Sequence, residues 1–406
     1  MIPAQNPSTG EGAPPRFRLL SALCYSAPLL VNGIVLPFFP VWLATHQFND
    51  HQIGTILAVP MVVRVLVAPI VAVFADRMQE RAHVLLWSGI LSLLTAIALY
   101  WTSNFWPVLI VFALQGATFA PYVPVVESIV ISGVRRWGLD YGSMRVWGSI
   151  AFIISTLTGG ELVGRWGGGM VLPVMIFGFV LTITMAVFCP RIGPTRRRGQ
   201  PINLPATTGS GLREPHLLLL LLGVSIQQSS HALLNAFSSI YWHQLGFSGT
   251  EVGMLWSAGV ASEVTVFFLS RRLNRRFNAW TLIRFGCAVS ICRWVFFPTE
   301  TSFIGFFMLQ CLHGFTYAFV HTGVQRRIVA TVQETQEASA QGAYFFYIGM
   351  ASGLMTIASG YIYSALGLDS YYVMACVAAF GLALVIIAYY LQPQRLASGG
   401  NTREPA

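Results

Sequence analysis

The chain has 406 residues, of which 55% are apolar and only 10% are charged, and its mean hydropathy is +0.63. Soluble domains carry about 25% charged residues, so a chain this apolar cannot cover its surface in water. A helix that spans a bilayer needs about 20 apolar residues and uses roughly 30 with its connection, so the length allows about twelve or thirteen spans. This composition argues against a secreted enzyme, a nucleic-acid binder and a disulfide-stapled module.

Twelve apolar segments follow one another along the chain and are numbered as spans 1 to 12. Each is long enough for a transmembrane helix, so the sequence predicts an all-α membrane protein. In chain order the spans lie at 18–44, 52–75, 82–102, 105–132, 140–164, 168–189, 216–244, 250–270, 279–298, 302–325, 338–365 and 370–391.

The longest connection, residues 190–215, is basic and contains proline and glycine. It predicts a division into two six-helix bundles, 18–189 and 216–391, joined by a cytoplasmic linker. Short tails at 1–17 and 392–406 complete the predicted organisation.

The basic residues are all arginines, 24 in number, and they lie mainly in alternate connections, whereas the other connections hold acidic residues and histidines. Arginine-rich loops stay on the cytoplasmic side of a membrane. Both termini are therefore predicted to be cytoplasmic, and the chain is expected in the cell inner (plasma) membrane. The arginine-rich connections include Arg16, Arg18, Arg77, Arg81, Arg135, Arg136, Arg191, Arg213, Arg271, Arg276, Arg326 and Arg327.

The two halves resemble each other. A shift of 198 residues places Leu114–Ala120 on Leu312–Ala318, and a shift of 199 aligns Trp42, Phe48 and Gly54 with Tyr241, Phe247 and Gly253. Parallel six-span repeats joined by a long loop are typical of the major facilitator architecture.

Five charged residues are singled out in the middle part of the spans, where each costs about 2.5–3.5 kcal/mol on insertion scales. When residues are counted from the arginine-rich loops, Glu127 and Arg145 lie at nearly the same depth in the membrane and can pair. Arg293 and His313 also lie at similar depth. Such residues either form static ion pairs or line a hydrated pathway for charged cargo. The five are Arg64, Glu127, Arg145, Glu263 and Arg293.

Uncharged polar residues in the spans have two interpretations as well. Gln228 and His231 of span 7 either face the pathway or hold neighbouring helices together. The same alternatives apply to His321 of span 10. Glu161 and Arg165, four residues apart near the outer end of span 5, predict an interfacial ion pair.

The loop between spans 2 and 3 combines an acid with basic residues beside a helix end. Asp76, Arg77 and Arg81 are predicted to act as a conformational gate, because an acid against a helix N-terminus can latch two helices together.

Longer motifs around these positions resemble one transporter family. They occur, in this order, in the phenylpropionic acid permease-like branch of the major facilitator superfamily, which is related to the lactose permease group. The resemblance covers about 17–392 and implies a twelve-helix, two-bundle proton symporter that works by alternating access. The motifs are Leu36–Leu43, Ile53-Gly54 with Arg64, Asp140–Ser149, Phe237–Trp242, Glu263 in Ala-Ser-Glu-Val, Arg293-Trp294 and Leu312-His313.

The resemblance also implies roles for individual residues. Lactose permease-like proteins contact substrate through a Glu and an Arg eighteen residues apart, a spacing that Glu127 and Arg145 match. Those relatives also place a proton-releasing Glu one turn after the histidine of span 10, where this chain has Thr316. A second arginine of the span 5 motif is replaced by Ser143, which argues against a copy of the sugar site.

The preferred hypothesis is proton-driven uptake of a small organic carboxylate, with phenylpropionate-like aromatic acids as the example. Three arginines against two glutamates in mid-membrane leave a positive balance, and an arginine fork suits a carboxylate. The predicted substrate-binding residues are Arg64, Glu127, Arg145, Gln228, His231 and Arg293. The predicted proton-coupling residues are Glu127, Glu263 and His313. A ring-binding wall could come from Phe38, Tyr122, Trp147, Phe237, Tyr241 and Tyr317.

Other functions remain as alternatives. A proton/drug antiporter or a proton-coupled sugar or nucleoside symporter would fit the same architecture. A membrane-embedded enzyme is disfavoured, because no HExxH, GxSxG or Walker motif is present and hence no catalytic residue is predicted. No cofactor or metal is expected. The expected partners are a small substrate, protons and the lipid bilayer, with no nucleic acid, and a monomer is compatible with the sequence.

Overall fold

The computed structural model describes residues 13–78, 80–192, 214–332 and 336–392, the side chains of 71–77 and of residue 338 excepted. Within these ranges the chain is helical, with short connections. A π-helical segment at Gly314–Phe319 interrupts span 10. The α-helices are α1 Phe17–Thr45, α2 Asp50–Arg77, α3 Arg81–Ala98, α4 Phe105–Phe119, α5 Tyr122–Trp137, α6 Tyr141–Trp166, α7 Val171–Val187, α8 Pro215–Ser229, α9 Ala232–Gln244, α10 Gly249–Arg276, α11 Ala279–Phe296, α12 Phe303–Cys311, α13 Val320–Thr331, α14 Glu337–Leu366 and α15 Ser370–Leu391.

Eleven helical stretches in the described ranges are long and apolar enough to cross a membrane. The last of them, Ser339–Leu391, has 53 residues and contains both α14 and α15. The twelve predicted spans are therefore all present as helices, and the prediction of an all-α membrane protein is confirmed.

Three spans consist of two helices each. Span 4 breaks between α4 and α5 at Ala120 and Pro121, and span 7 breaks between α8 and α9 at Ser230 and His231. Span 10 joins α12 to α13 through the π-helical segment. Backbone groups released at such breaks need partners inside the protein, so breaks in spanning helices occur where polar side chains gather. Glu127, His231 and His313 lie close to these three breaks.

Local capping explains where several helices begin. The Asp140 side chain accepts from Ser143 N at the start of α6, and Ser248 and Glu251 form a capping box on α10. Such caps satisfy backbone N–H groups that have no partner within the helix. Gly138, with φ of 63°, ends α5 in the left-handed conformation that glycine tolerates.

The contacts divide the chain into two compact units. Unit 1 comprises Met1–His46 and Leu66–Arg198. In it, α1 packs against α6 and α7, and α3 packs against α4, α5 and α7. Its buried core includes Phe17, Leu85 and Tyr122.

Unit 2 comprises Gln47–Val65 and Gly199–Ala406. In it, α15 packs against α8 and α11, and α14 packs against α8 and α9. Leu217, Trp280 and Tyr344 belong to its buried core.

The first half of α2 belongs to unit 2 because it lies directly against α14. A Cβ atom on Gly360 would stand 2.5 Å from the Asp50 carbonyl oxygen, and one on Gly54 would stand 2.8 Å from the Thr356 carbonyl oxygen. Glycines that let two helix backbones approach closely are a common device for packing helices in membranes.

Candidate functional site

In unit 1, two tyrosine hydroxyls hold the carboxylate of Glu127 on α5. Tyr25 of α1 donates to Glu127 Oε2, and Tyr141, the first residue of α6, donates to Glu127 Oε1. Tyr25 is buried, whereas Glu127 and Tyr141 are partly exposed. Hydrogen bonds from hydroxyls to an ionised carboxylate are short and strong, so these two donors stabilise the negative charge.

Arg145 lies beside this carboxylate on α6. Its guanidinium carbon stands 4.9 Å from the centre of the Tyr25 ring, which is a cation–π contact. Tyr25, Tyr141 and Glu127 are its electrostatic neighbours, and its side chain is exposed. The structure records no ion pair between Arg145 and any residue that it describes.

Glu127 and Arg145 therefore meet in one cluster as electrostatic neighbours, and no ion pair between them is recorded. Tyrosine hydroxyls occupy both carboxylate oxygens, and the guanidinium rests on a tyrosine ring instead. The arrangement leaves Arg145 with charge and donors to offer, while Glu127 already has its partners.

In unit 2, Arg293 of α11 is completely buried. Its Nη2 donates to Gln310 Oε1, and its Nη1 lies 3.4 Å from His313 Nδ1 and 3.5 Å from Thr316 Oγ1. The guanidinium carbon stands 4.7 Å from the centre of the Trp294 ring. Among the described residues no carboxylate lies within ion-pair distance of this guanidinium, so neutral dipoles and a ring surround the buried cation.

His313 connects Arg293 to Glu263 of α10. His313 Nε2 lies 3.8 Å from Glu263 Oε2, and the two side chains are 23% and 26% exposed, so the protein does not fully enclose the pair. The backbone N–H of Gly314, at the start of the π-helical segment, donates to Ser262 Oγ over 2.9 Å. This bond joins span 10 to α10 next to Glu263, and such π-helical turns are frequent at functional sites.

Gln228 and His231 of span 7 lie behind this pair. His231 Nε2 is 3.0 Å from Thr316 Oγ1, and Gln228 Nε2 donates to the Thr316 carbonyl over 3.3 Å. Both side chains are buried, and the His231 and His313 rings meet edge to face with centres 5.5 Å apart. These contacts fit the reading in which the two residues join helices and position Arg293 and His313.

Arg64 lies on the part of α2 that belongs to unit 2. Its side chain is exposed, and the structure gives it no hydrogen bond or ion pair with the residues that it describes.

The three predicted gate residues differ in what the structure describes of them. The side chains of Asp76 and Arg77 lie outside the described residues. Arg81 is buried, and its Nη1 donates to the Ser128 carbonyl and hydroxyl over 3.1 and 3.0 Å, while Nη2 donates to Ser132 Oγ over 3.0 Å. Arg81 thus ties the beginning of α3 to α5, and its role as a gate stays a prediction.

Several functional candidates escaped the sequence analysis. Tyr25, Tyr141 and Gln310 complete the two clusters, yet tyrosine and glutamine in an apolar span carry no signal of their own. Of the predicted ring-binding wall, Phe38, Tyr122, Phe237 and Tyr241 are buried, whereas Trp147 and Tyr317 are at least partly exposed, and the wall stays a prediction. The expected ion pair between Glu161 and Arg165 is present.

Comparison with known proteins gives a consistent result. A family model described as "MFS_1 like family" matches residues 24–374. The probable 3-phenylpropionic acid transporter of Escherichia coli (strain K12) is 29% identical over 360 residues, which cover 88% of this chain and 94% of that protein. The maltose permease of Geobacillus stearothermophilus is 23% identical over 374 residues, covering 90% and 92%.

A solved structure shares the fold. The crystal structure of the nucleoside transporter NupG superposes with a TM-score of 0.79 at 15% identity, covering 92% of this chain and 98% of that one. At 15% identity this structural similarity is evidence for the fold only.

The apolar helical spans of the described residues, together with the family match and the transporters to which the chain is similar, define a multi-pass membrane protein, a secondary transporter and not an enzyme. The chain belongs to the MFS_1-like family of the major facilitator superfamily.

Proposed function

We propose that this transporter carries a small organic carboxylate into the cell together with a proton, by alternating access. Aromatic acids of the phenylpropionate type are the first substrates to test, because a relative that shares 29% of its residues is described as a probable 3-phenylpropionic acid transporter.

The proposal of a carboxylate substrate depends on one observation, the exposure of Arg145 and the absence of a recorded ion pair for it among the described residues. An exposed guanidinium inside a spanning helix, without an ion pair in the described part of the chain, offers a fork of donors to a carboxylate. A neutral sugar or nucleoside would gain less from that charge than an anion does. Arg64 stays a proposed substrate-binding residue, since it too is exposed and has no recorded ion pair among the described residues.

Glu263 and His313 are the proposed proton-coupling residues. Glu127, the third residue predicted for this role, already has both carboxylate oxygens bonded to tyrosine hydroxyls. The Glu263–His313 pair is 3.8 Å apart and partly exposed, so both groups can exchange protons with water. Arg293 lies next to His313 and links the proton site to the buried network of span 7.

The test is uptake of labelled 3-phenylpropionate by proteoliposomes under an inward-directed proton gradient, with and without an uncoupler. The wild type is expected to accumulate the acid and to lose accumulation when the gradient collapses. Arg145→Ala is expected to lose at least ten-fold in initial rate. Arg165→Ala is the matched control, since that arginine is exposed and pairs only locally with Glu161.

Two results would overturn the proposal in different ways. Uptake that ignores the uncoupler removes the proton drive, and full activity of Arg145→Ala removes that residue from the substrate site. A thermal-shift panel of carboxylates, sugars, nucleosides and cationic drugs on the purified protein shows whether another class binds instead.

A further inference from the structure

One face of span 10 carries a polar stripe that the proposed function leaves unused. His313, Tyr317, His321 and Gln325 recur at intervals of four residues, and all four are partly exposed. Thr316, Ala318, Phe319 and Val320 between them are buried. Polar side chains along one open face of a spanning helix mark ion or proton pathways.

The rings of this stripe stack on one another. The His313 and Tyr317 rings have centres 5.6 Å apart and planes 12° apart, and the Tyr317 and His321 rings have centres 6.0 Å apart and planes 7° apart. The Tyr344 hydroxyl of α14 lies 3.3 Å from His321 Nδ1, and Tyr344 is an electrostatic neighbour of Tyr317. Ring nitrogens and phenol hydroxyls therefore follow one another along the stripe.

The charged neighbours gather at one end of the stripe. His313 faces Glu263 on α10, Arg293 on α11 and His231 of span 7. His321 faces Tyr344 on α14 and the edge of the Phe267 ring on α10, at 6.0 Å, with no charged residue among the contacts described for it.

The other end of the stripe points towards the arginine-rich end of span 10. His321 is eight residues beyond His313, or about 12 Å along a helix, and only five residues before Arg326. Between them Gln325 and Gln341 exchange hydrogen bonds across α13 and α14. In the orientation expected from the arginine distribution, the stripe leads from the proton site to the cytoplasm.

We infer that Tyr317, Tyr344 and His321 form a relay that carries the proton from the Glu263–His313 pair to the cytoplasm. This inference rests on the proposed proton coupling and deepens it by naming the exit path. Histidine is suited to the last position, because its unperturbed pKa lies near neutrality and it can take up and release a proton at physiological pH.

The step moves a proton and nothing else. The O–H bond of protonated Glu263 breaks and leaves a carboxylate, while water and the Tyr317 hydroxyl pass a proton to the Tyr344 oxygen. Tyr344 gives its own hydroxyl proton to His321 Nδ1, so that an imidazolium forms. His321 returns to the neutral state when its Nε2–H proton leaves for cytoplasmic water.

Two transport modes separate this role from a structural one. Accumulation against a gradient needs net proton release, whereas exchange of labelled for unlabelled 3-phenylpropionate at equal concentrations on both sides does not. His321→Gln and Tyr344→Phe are expected to keep exchange within two-fold of the wild type and to lose at least ten-fold in proton-driven accumulation. His83→Gln, which removes an exposed histidine of α3, and Tyr390→Phe, which alters an exposed tyrosine of α15, are the controls and should keep both modes.

The outcomes are distinguishable. Full accumulation by both relay variants overturns the relay alone, and equal loss of exchange and accumulation in both assigns the residues a structural role. A wild type whose uptake of 3-phenylpropionate does not respond to the proton gradient overturns the proposed function, and the relay falls with it. Tyr344→Phe keeps the ring and its packing, so it serves as the decisive variant should His321→Gln fold poorly.

Discussion

Arg293 Nη1 lies 3.4 Å from His313 Nδ1, across spans 9 and 10, in a setting that excludes the arginine from solvent completely. Because arginine can only donate, His313 Nδ1 must accept, and the ring carries its proton on Nε2 towards Glu263. A change in the Arg293 environment therefore alters which tautomer faces the acid. This contact connects the buried cation to the proposed proton site.

Arg293→Lys should separate charge from geometry at this point. An ammonium cannot reach both Gln310 and His313 from a position where the guanidinium fork does, so one of them loses its partner. We expect a loss of about 1–3 kcal/mol in stability for the unsatisfied group and at least a ten-fold fall in proton-driven uptake. Thermal unfolding in detergent and initial uptake rates measure the two effects.

Arg284→Lys on the same helix is the control for this change, since Arg284 lies on the Tyr389 ring away from His313. Wild-type transport by Arg293→Lys would show that charge alone is sufficient at this position.

Tyr141→Phe should alter substrate affinity through Glu127. Without the Tyr141 hydroxyl one carboxylate oxygen is free to turn to Arg145, and the arginine then competes poorly for a substrate carboxylate. One hydrogen bond of about 1–1.5 kcal/mol corresponds to roughly a ten-fold rise in KM. Uptake kinetics for 3-phenylpropionate measure KM and kcat separately.

Tyr122→Phe is the matched control, because the Tyr122 hydroxyl donates to the Thr182 carbonyl in the same unit and does not touch Glu127. It should cost stability and leave KM unchanged. An unaltered KM in Tyr141→Phe would mean that the tyrosine hydroxyls do not set the availability of Arg145.

The helical fold and one part of the candidate site can be predicted from the sequence. Spans are visible because about 20 consecutive apolar residues are needed to cross a bilayer, and Arg293 and His313 could be matched by counting residues from the loops. The partners of Glu127 could not, since Tyr25 is 102 positions away. Which face of α1 meets α5 depends on how side chains of both helices pack, and no period in either sequence states it.

The sequence predicts one of the helix breaks and does not predict another. Pro121 signals the break in span 4, because proline lacks the N–H that would continue the helical hydrogen bonds. The π-helical turn after His313 has no comparable signal, and it lies where the Gly314 N–H donates to Ser262 Oγ of α10. The sequence therefore identifies the residues near that turn as separate candidates but does not predict that they contact one another.

Gly360→Ala should destabilise unit 2. The added Cβ would lie 2.5 Å from the Asp50 carbonyl oxygen, a rigid backbone atom, so the first half of α2 must move away from α14. Gly342→Ala in the same helix meets nothing within 4 Å and removes a residue of low helix propensity, which is worth about 0.8–1 kcal/mol in a helix interior. Thermal unfolding should show a lower midpoint for the first variant and an equal or higher one for the second. Equal midpoints for the two would contradict the close contact of α2 and α14.

Glu300, in the connection between α11 and α12, should give the protein a pH-dependent contribution to stability. The backbone N–H groups of Ser302 and Thr301 and the Ser302 hydroxyl donate to its carboxylate, over 2.7, 2.9 and 2.8 Å, and hold its pKa below the ordinary value. Because the folded-state pKa is the lower one, the unfolded chain takes up the proton first as the pH falls. The stabilisation is therefore complete above the unfolded pKa, about 4.3 for glutamate, and disappears as the pH drops through the folded one. Glu300→Gln should unfold at a lower temperature than the wild type at pH 7, and the difference should shrink in acid; a difference that stays constant down to pH values below both pKa values would assign the effect to shape and not to charge.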